Sequence, residues 1–98
     1  MTITKEAAGT ALTLSLQGRL DTGTAPQLDA ALKESMDGVT DLTLDFAGLE
    51  YISSAGLRVL LSAQKVMKKQ GSMVIRHVNE TIMEVFEVTG FSDFLTIQ

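Results

Sequence analysis

The stretch from Leu42 to Leu61, LTLDFAGLEYISSAGLRVLL, decides the fold. Over 41–47, Leu42, Leu44 and Phe46 alternate with Asp41, Thr43 and Asp45, the period-two pattern of a half-buried strand. Gly48 to Tyr51 reads as a short connection. Ser53-Ser54 then precede a helical segment that ends near Gln70-Gly71, with glycine as the expected stop. Along it Leu57, Leu60, Leu61, Ala63 and Met67 fall on one side, and Arg58, Ser62, Lys65 and Lys69 on the other. One strand therefore passes into one amphipathic helix, with two hydroxyls at the junction.

Working outward, TALTLSLQ at 10–17 alternates again, with Leu12, Leu14 and Leu16 on one face. Residues 2–6 supply a short partner strand, since Ala8-Gly9 can turn the chain into a hairpin. Thr24-Ala25-Pro26-Gln27 resembles a capping box, in which Thr24 accepts from the first turn and Gln27 reaches back, and it opens a helix from Ala25 to Met36. Leu28, Ala31, Leu32 and Met36 form the packed face of that helix, and Asp37-Gly38 end it. MVIRHV at 73–78 is a further strand, and Asn79 caps a short helix through Val88 that Gly90 closes. Phe91, Phe94, Leu95 and Ile97 make a terminal apolar patch. Strands alternating with helices predict an α/β domain spanning residues 1–98, its mainly parallel sheet of about four to five strands covered by helices.

Composition narrows the function. Ninety-eight residues, 45% apolar and 20% charged with one proline, suit a single folded domain with no room for a second catalytic one. Apolar runs of at most three residues exclude a spanning helix, and the start MTITKEAAGTALT lacks a secretory pattern, so the expected location is the cytoplasm. The absence of cysteine removes disulfides and thiolate chemistry, and a lone histidine, His77, cannot make a metal site. A net charge of −4 argues against nucleic acid as partner. Neither glycine-rich phosphate-binding pattern is present, so no cofactor is expected.

Chemistry concentrates at the strand-to-helix junction. A phosphate on Ser54 would meet free backbone N–H groups and the positive end of the helix dipole, with Arg58 four residues on. Ala55 and Gly56 are small enough to let a partner approach the backbone. The plainer reading is that Ser53 or Ser54 is only the helix N-cap. Asp21, Asp45 and Glu50 are better read as surface or hydrogen-bonding groups than as an acid–base pair. A hydrolytic role for Ser54 lacks a base, because His77 lies in a different strand, read as partly buried or at an edge, with no evident orienting acid. Arg58, Lys65 and Lys69 are most simply a solvated helix face, with docking of an acidic partner as the lesser reading.

GRLD at Gly18 to Asp21, TAP at Thr24 to Pro26, the quoted stretch and VFEVTGFSDFL at Val85 to Leu95 together closely resemble the anti-sigma-factor antagonists of the STAS domain family. The resemblance implies a non-enzymatic partner switch. The unphosphorylated antagonist binds an anti-sigma serine/threonine kinase and frees a sigma factor; phosphorylation by the kinase breaks the complex, and a serine phosphatase restores it. The phosphorylated serine aligns with Ser54, the glycine two positions later with Gly56, and the acidic position beside the site with Asp21. Asp21, Thr22, Ser53, Ser54, Ala55, Gly56 and Arg58 are then the expected partner-binding residues, on a protein expected to be monomeric. Family members read Asp-Ser-Ser-Gly or Asp-Ser-Thr-Gly at the site; Ser53 replaces that carboxylate here and becomes the alternative acceptor. Similar STAS domains also serve as constitutive docking subunits of membrane transport ATPases, the second role the resemblance allows.

Overall fold

The computed structural model describes residues 1–98. Four strands, β1 (Thr2–Ala8), β2 (Ala11–Leu20), β3 (Asp41–Ile52) and β4 (Ser72–Arg76), form one sheet in chain order, with β1 antiparallel to β2 and the other two pairs parallel. Four helices, α1 (Ala25–Ser35), α2 (Ser54–Gln70), α3 (Glu80–Thr89) and the one-turn α4 (Phe91–Phe94), complete the domain. It is the mixed, mainly parallel α/β sheet that the alternation of elements predicts.

Leu12, Leu14, Leu16, Leu42, Leu44, Phe46, Met73 and Ile75 point to one face of the sheet and are fully buried there. Buried residues of α1, α2 and α3 join the same core, so the helices cover this face. The opposite face presents Thr13, Ser15, Thr43, Asp45 and Val74, each half-buried. Phe86 of α3 reaches Phe46 with ring centroids 6.4 Å apart and fixes that helix over the middle of β3. After α4 the chain returns as a single parallel bridge, Ile97 beside Ile75, with Ile75 donating to Thr96 O at 2.9 Å. Part of the predicted terminal apolar patch thus covers the outer edge of β4, the usual remedy for an unpaired strand edge.

Several boundaries differ from the sequence reading. Gly48–Tyr51 is not a connection, because β3 runs unbroken to Ile52. Two register shifts against β2, between Ser15 and Gln17 and between Gly18 and Arg19, give β3 two extra residues. Each extra residue flips the side-chain phase, so burial goes Leu42, Leu44, Phe46 and then Leu49, Ile52. Gly48 is the bulge glycine: a Cβ there would sit 2.6 Å from Gln17 Cγ and 3.1 Å from Leu16 O.

The capping box at Thr24 is absent. Thr24 is already in the right-handed helical region (φ −104°, ψ −17°) and its hydroxyl turns back, accepting from Asp21 N at 2.9 Å and donating to Arg19 O at 2.7 Å. A cap at Thr24 would have little to bind, since Pro26 has no N–H and that of Gln27 bonds Thr24 O. Gln27 instead donates to Met1 O. His77 also departs from expectation: β4 stops at Arg76, and His77 is exposed in a left-handed conformation, φ +59°.

Candidate functional site at the start of α2

β2 and β3 are parallel, so their C-terminal ends leave the sheet side by side. Leu20 pairs with Ile52, and Ser53 N donates to Leu20 O at 2.8 Å. Asp21 and Ser54, separated by 33 positions in the chain, thereby start from adjacent points of one sheet edge.

Only Ser53 separates β3 from α2. Its backbone is extended (φ −101°, ψ 175°) and its Oγ accepts from Gly56 N at 3.4 Å, which makes Ser53 the N-cap. Ser54 is the first helical residue, exposed, and its hydroxyl has no hydrogen-bond partner within the chain. The two serines thus divide the two readings: Ser53 caps the helix and Ser54 presents a free hydroxyl. α2 has no acidic residue in its first turn, so the positive end of its dipole is not offset by a side chain there. Arg58 is exposed one turn further on.

Asp21 anchors the facing loop. Its carboxylate accepts from Gly23 N at 3.0 Å, Thr24 N at 3.1 Å and Thr24 Oγ1 at 3.2 Å, and Arg19 Nε lies 3.8 Å away. The backbone N–H of Thr24, with the Thr24 hydroxyl, the Gly23 N–H and Arg19 behind it, holds the carboxyl below its ordinary value. Thr22 and Ala55 line one shallow hollow of about 250 Å³ with Ala25, Pro26, Asp29 and Val59.

Asp21, Thr22, Ser53, Ser54, Ala55 and Arg58 therefore lie at one end of the sheet. Gly56 does not serve access: it is buried, and a Cβ there would lie 2.7 Å from Leu20 Cγ and 2.9 Å from Ile52 Cγ1. Its smallness lets the first turn of α2 settle onto the two strand ends. Sequence reasoning passed over Arg19 and Tyr51, which pair across β2 and β3 with the guanidinium 4.3 Å from the ring centroid. Tyr51 is one of three large apolar side chains left exposed. Its outward phase depends on the β3 bulges, so only the GRLD run hinted at this pair.

Asp45 and His77 form a separate pair at 2.8 Å, so the histidine does have an acid beside it. The Ala47 backbone N–H, then His77, hold the Asp45 carboxyl below its ordinary value. Asp45 lies eight residues before Ser53, roughly 26 Å of extended chain. The pair does not belong to the junction.

A free hydroxyl at a helix start and an anchored loop beside it sit at one end of a small α/β domain with helices on one sheet face, and comparison with known proteins gives its family. Residues 3–97 match the family described as Mlab, STAS domain. BtrV of Bordetella bronchiseptica, which bears the name of an anti-sigma factor antagonist, is 40% identical over 93 residues, covering 93% of this chain and 80% of that protein. The solved structure of an anti-sigma factor antagonist from Mycobacterium paratuberculosis superposes with a TM-score of 0.88 at 22% identity, covering 98% of this chain and 83% of that one. SpoIIAA of Bacillus in its phosphorylated form gives 0.77 at 19% identity over 99% and 91%, a likeness of fold alone. The chain belongs to the STAS domain family and, within it, groups with the anti-sigma factor antagonists.

Proposed function

We propose that this chain is the switching component of a partner-switching pathway. Unphosphorylated, it binds an anti-sigma serine/threonine kinase through Asp21, Thr22, Ser54, Ala55 and Arg58 and frees the sigma factor. The kinase then phosphorylates Ser54, the complex parts, and a serine phosphatase restores the hydroxyl. The chain acts as ligand and substrate of other enzymes, as a monomer in the cytoplasm, and performs no catalysis itself.

One observation carries this reading: Ser54 offers an exposed, unengaged hydroxyl while Ser53 is used as the cap. That difference favours Ser54 over Ser53 as acceptor, since Ser53 Oγ is engaged with Gly56 N while Ser54 Oγ is exposed and unengaged. It also answers the missing family carboxylate, because position 53 has a structural duty here that its hydroxyl fulfils. Phosphate at Ser54 would add about −1.5 to −2 charges to a surface that is complementary to the kinase when neutral. A loss of about 3 to 4 kcal/mol weakens binding several hundredfold, well within the effect of one uncompensated charge in an interface. SpoIIAA, a protein of the same fold, has been solved in a phosphorylated form.

The test is a pull-down from lysate of the native organism with wild-type, Ser54→Ala and Ser54→Asp baits, followed by affinity measurement on the purified kinase. Wild type and Ser54→Ala retain a small ATP-binding kinase, Ser54→Asp loses it, and only wild type gains a phosphate on incubation with kinase and ATP. Equal affinity of the Ala and Asp variants would sink the local-charge switch. Retention of the same transport-ATPase components by all three baits would put the docking-subunit role in its place.

A further inference from the structure

α2 carries four of the eight Lys and Arg residues and none of the twelve acids. Arg58, Lys65 and Lys69 are exposed at intervals of seven and four, which lines them along one side of the helix. None of them enters an ion pair: the three pairs of the chain join Arg19 to Asp21, Lys33 to Asp29 and His77 to Asp45. Lys68 lies beside them, with Nζ 5.9 Å from the Phe94 ring centroid. Val66, 45% exposed, lies among the lysines and with them lines an open concavity of about 520 Å³.

Helix stability explains only part of this. Lys68 and Lys69 sit in the last turn, where cations meet the negative end of the dipole. Arg58 lies near the positive end and Lys65 in the middle, where that benefit is lost, and no acid on the helix offsets either. The rest of the chain holds all twelve acids against four cations. An acidic body is therefore repelled from most of the molecule and drawn to this one stripe, which begins a single turn from Ser54.

We propose that the α2 stripe is the steering surface for an acidic face of the partner kinase. The inference rests on the Ser54 reading and adds a division of labour to it. Arg58, Lys65 and Lys69 govern how fast the complex forms, because long-range attraction raises association rates and is screened by salt. Ser54 governs how long the complex lasts.

The experiment measures association and dissociation of the purified kinase that binds in a Ser54-sensitive way, between about 50 and 500 mM salt. Lys65→Glu/Lys69→Glu is compared with Lys5→Glu/Arg76→Glu, which changes net charge equally at exposed positions of β1 and β4, and with Lys65→Gln/Lys69→Gln. The expected result for the α2 reversal is an association rate lower by about tenfold or more at low salt, with a flatter salt dependence and dissociation unchanged within about twofold. The neutral pair falls between, and the control pair stays close to wild type. Equal effects of the two reversals, or none from α2, overturn the steering surface while leaving the Ser54 switch intact. Absence of any Ser54-sensitive kinase complex overturns both. Binding to phosphatidylserine vesicles that the α2 reversal abolishes, with kinase association unaltered, assigns the stripe to a lipid surface and overturns the inference as well.

Discussion

At the scale of single residues, two neighbouring serines have separate duties. Ser53→Ala removes the acceptor for Gly56 N and should cost about 1 kcal/mol of stability, read as a lower urea midpoint. Ser54→Ala touches no hydrogen bond and should leave that midpoint within about 0.5 kcal/mol of wild type. A reversed ranking would mean that the cap is misassigned. Asp21 has a pH signature. Its folded carboxyl titrates below the ordinary value of 3.8, so its contribution is present above that value and disappears as pH falls through the depressed folded value. Stability of the wild type should therefore fall with acid more steeply than that of Asp21→Asn, with the difference confined to pH below about 4 to 5. Parallel pH profiles would show that the Thr24 and Gly23 N–H groups do not hold the carboxylate in solution.

At the scale of elements, α2 ends on a glycine for a reason other than handedness. Gly71 has φ 172°, extended backbone open to any residue, but a Cβ would lie 1.9 Å from Thr40 O and 2.6 Å from Thr40 C. Both are backbone atoms, and Ser72 N already bonds Thr40 O at 2.9 Å, so little can give way. Gly71→Ala should cost about 3 kcal/mol. Gly90→Ala, strained only by its left-handed φ of +81° with open space around it, should cost about 1 kcal/mol. Thermal melts of the two variants would show the ordering. The alternating leucines made β2 and the first half of β3 legible, and Asn79 and Gly90 bracket α3 where the sequence places them. The second half of β3 was illegible because two bulges break the period that reveals a strand. The cap before α1 was misread because Asp21, three residues earlier, takes the N–H of Thr24 and accepts its hydroxyl. At the site, spacing located the junction, but the capping serine differs from the free one only in its extended backbone and its bond to Gly56 N, which no spacing encodes.

At the scale of the molecule, a single core of 24 buried apolar residues ties every helix longer than one turn to the same sheet face. Phe86 is fully buried against Phe46, and Phe86→Ala should cost about 3 to 5 kcal/mol, enough to populate unfolded chain measurably in a domain of this size. Calorimetry would reveal it as a large drop in melting temperature; a drop of only a degree or two would mean that α3 is not integral to the core.

The junction between β3 and α2 is one residue long, between a strand end bonded to Leu20 O and a helix whose first turn rests on Leu20 and Ile52. It holds no hinge. A modification at Ser54 thus meets a rigid bracket that cannot relay strain, and the two states of the protein should share one shape. Amide chemical shifts should change only around the junction and the Asp21 loop. What a partner senses is then the sign of a patch, recorded like ink on an unbending page.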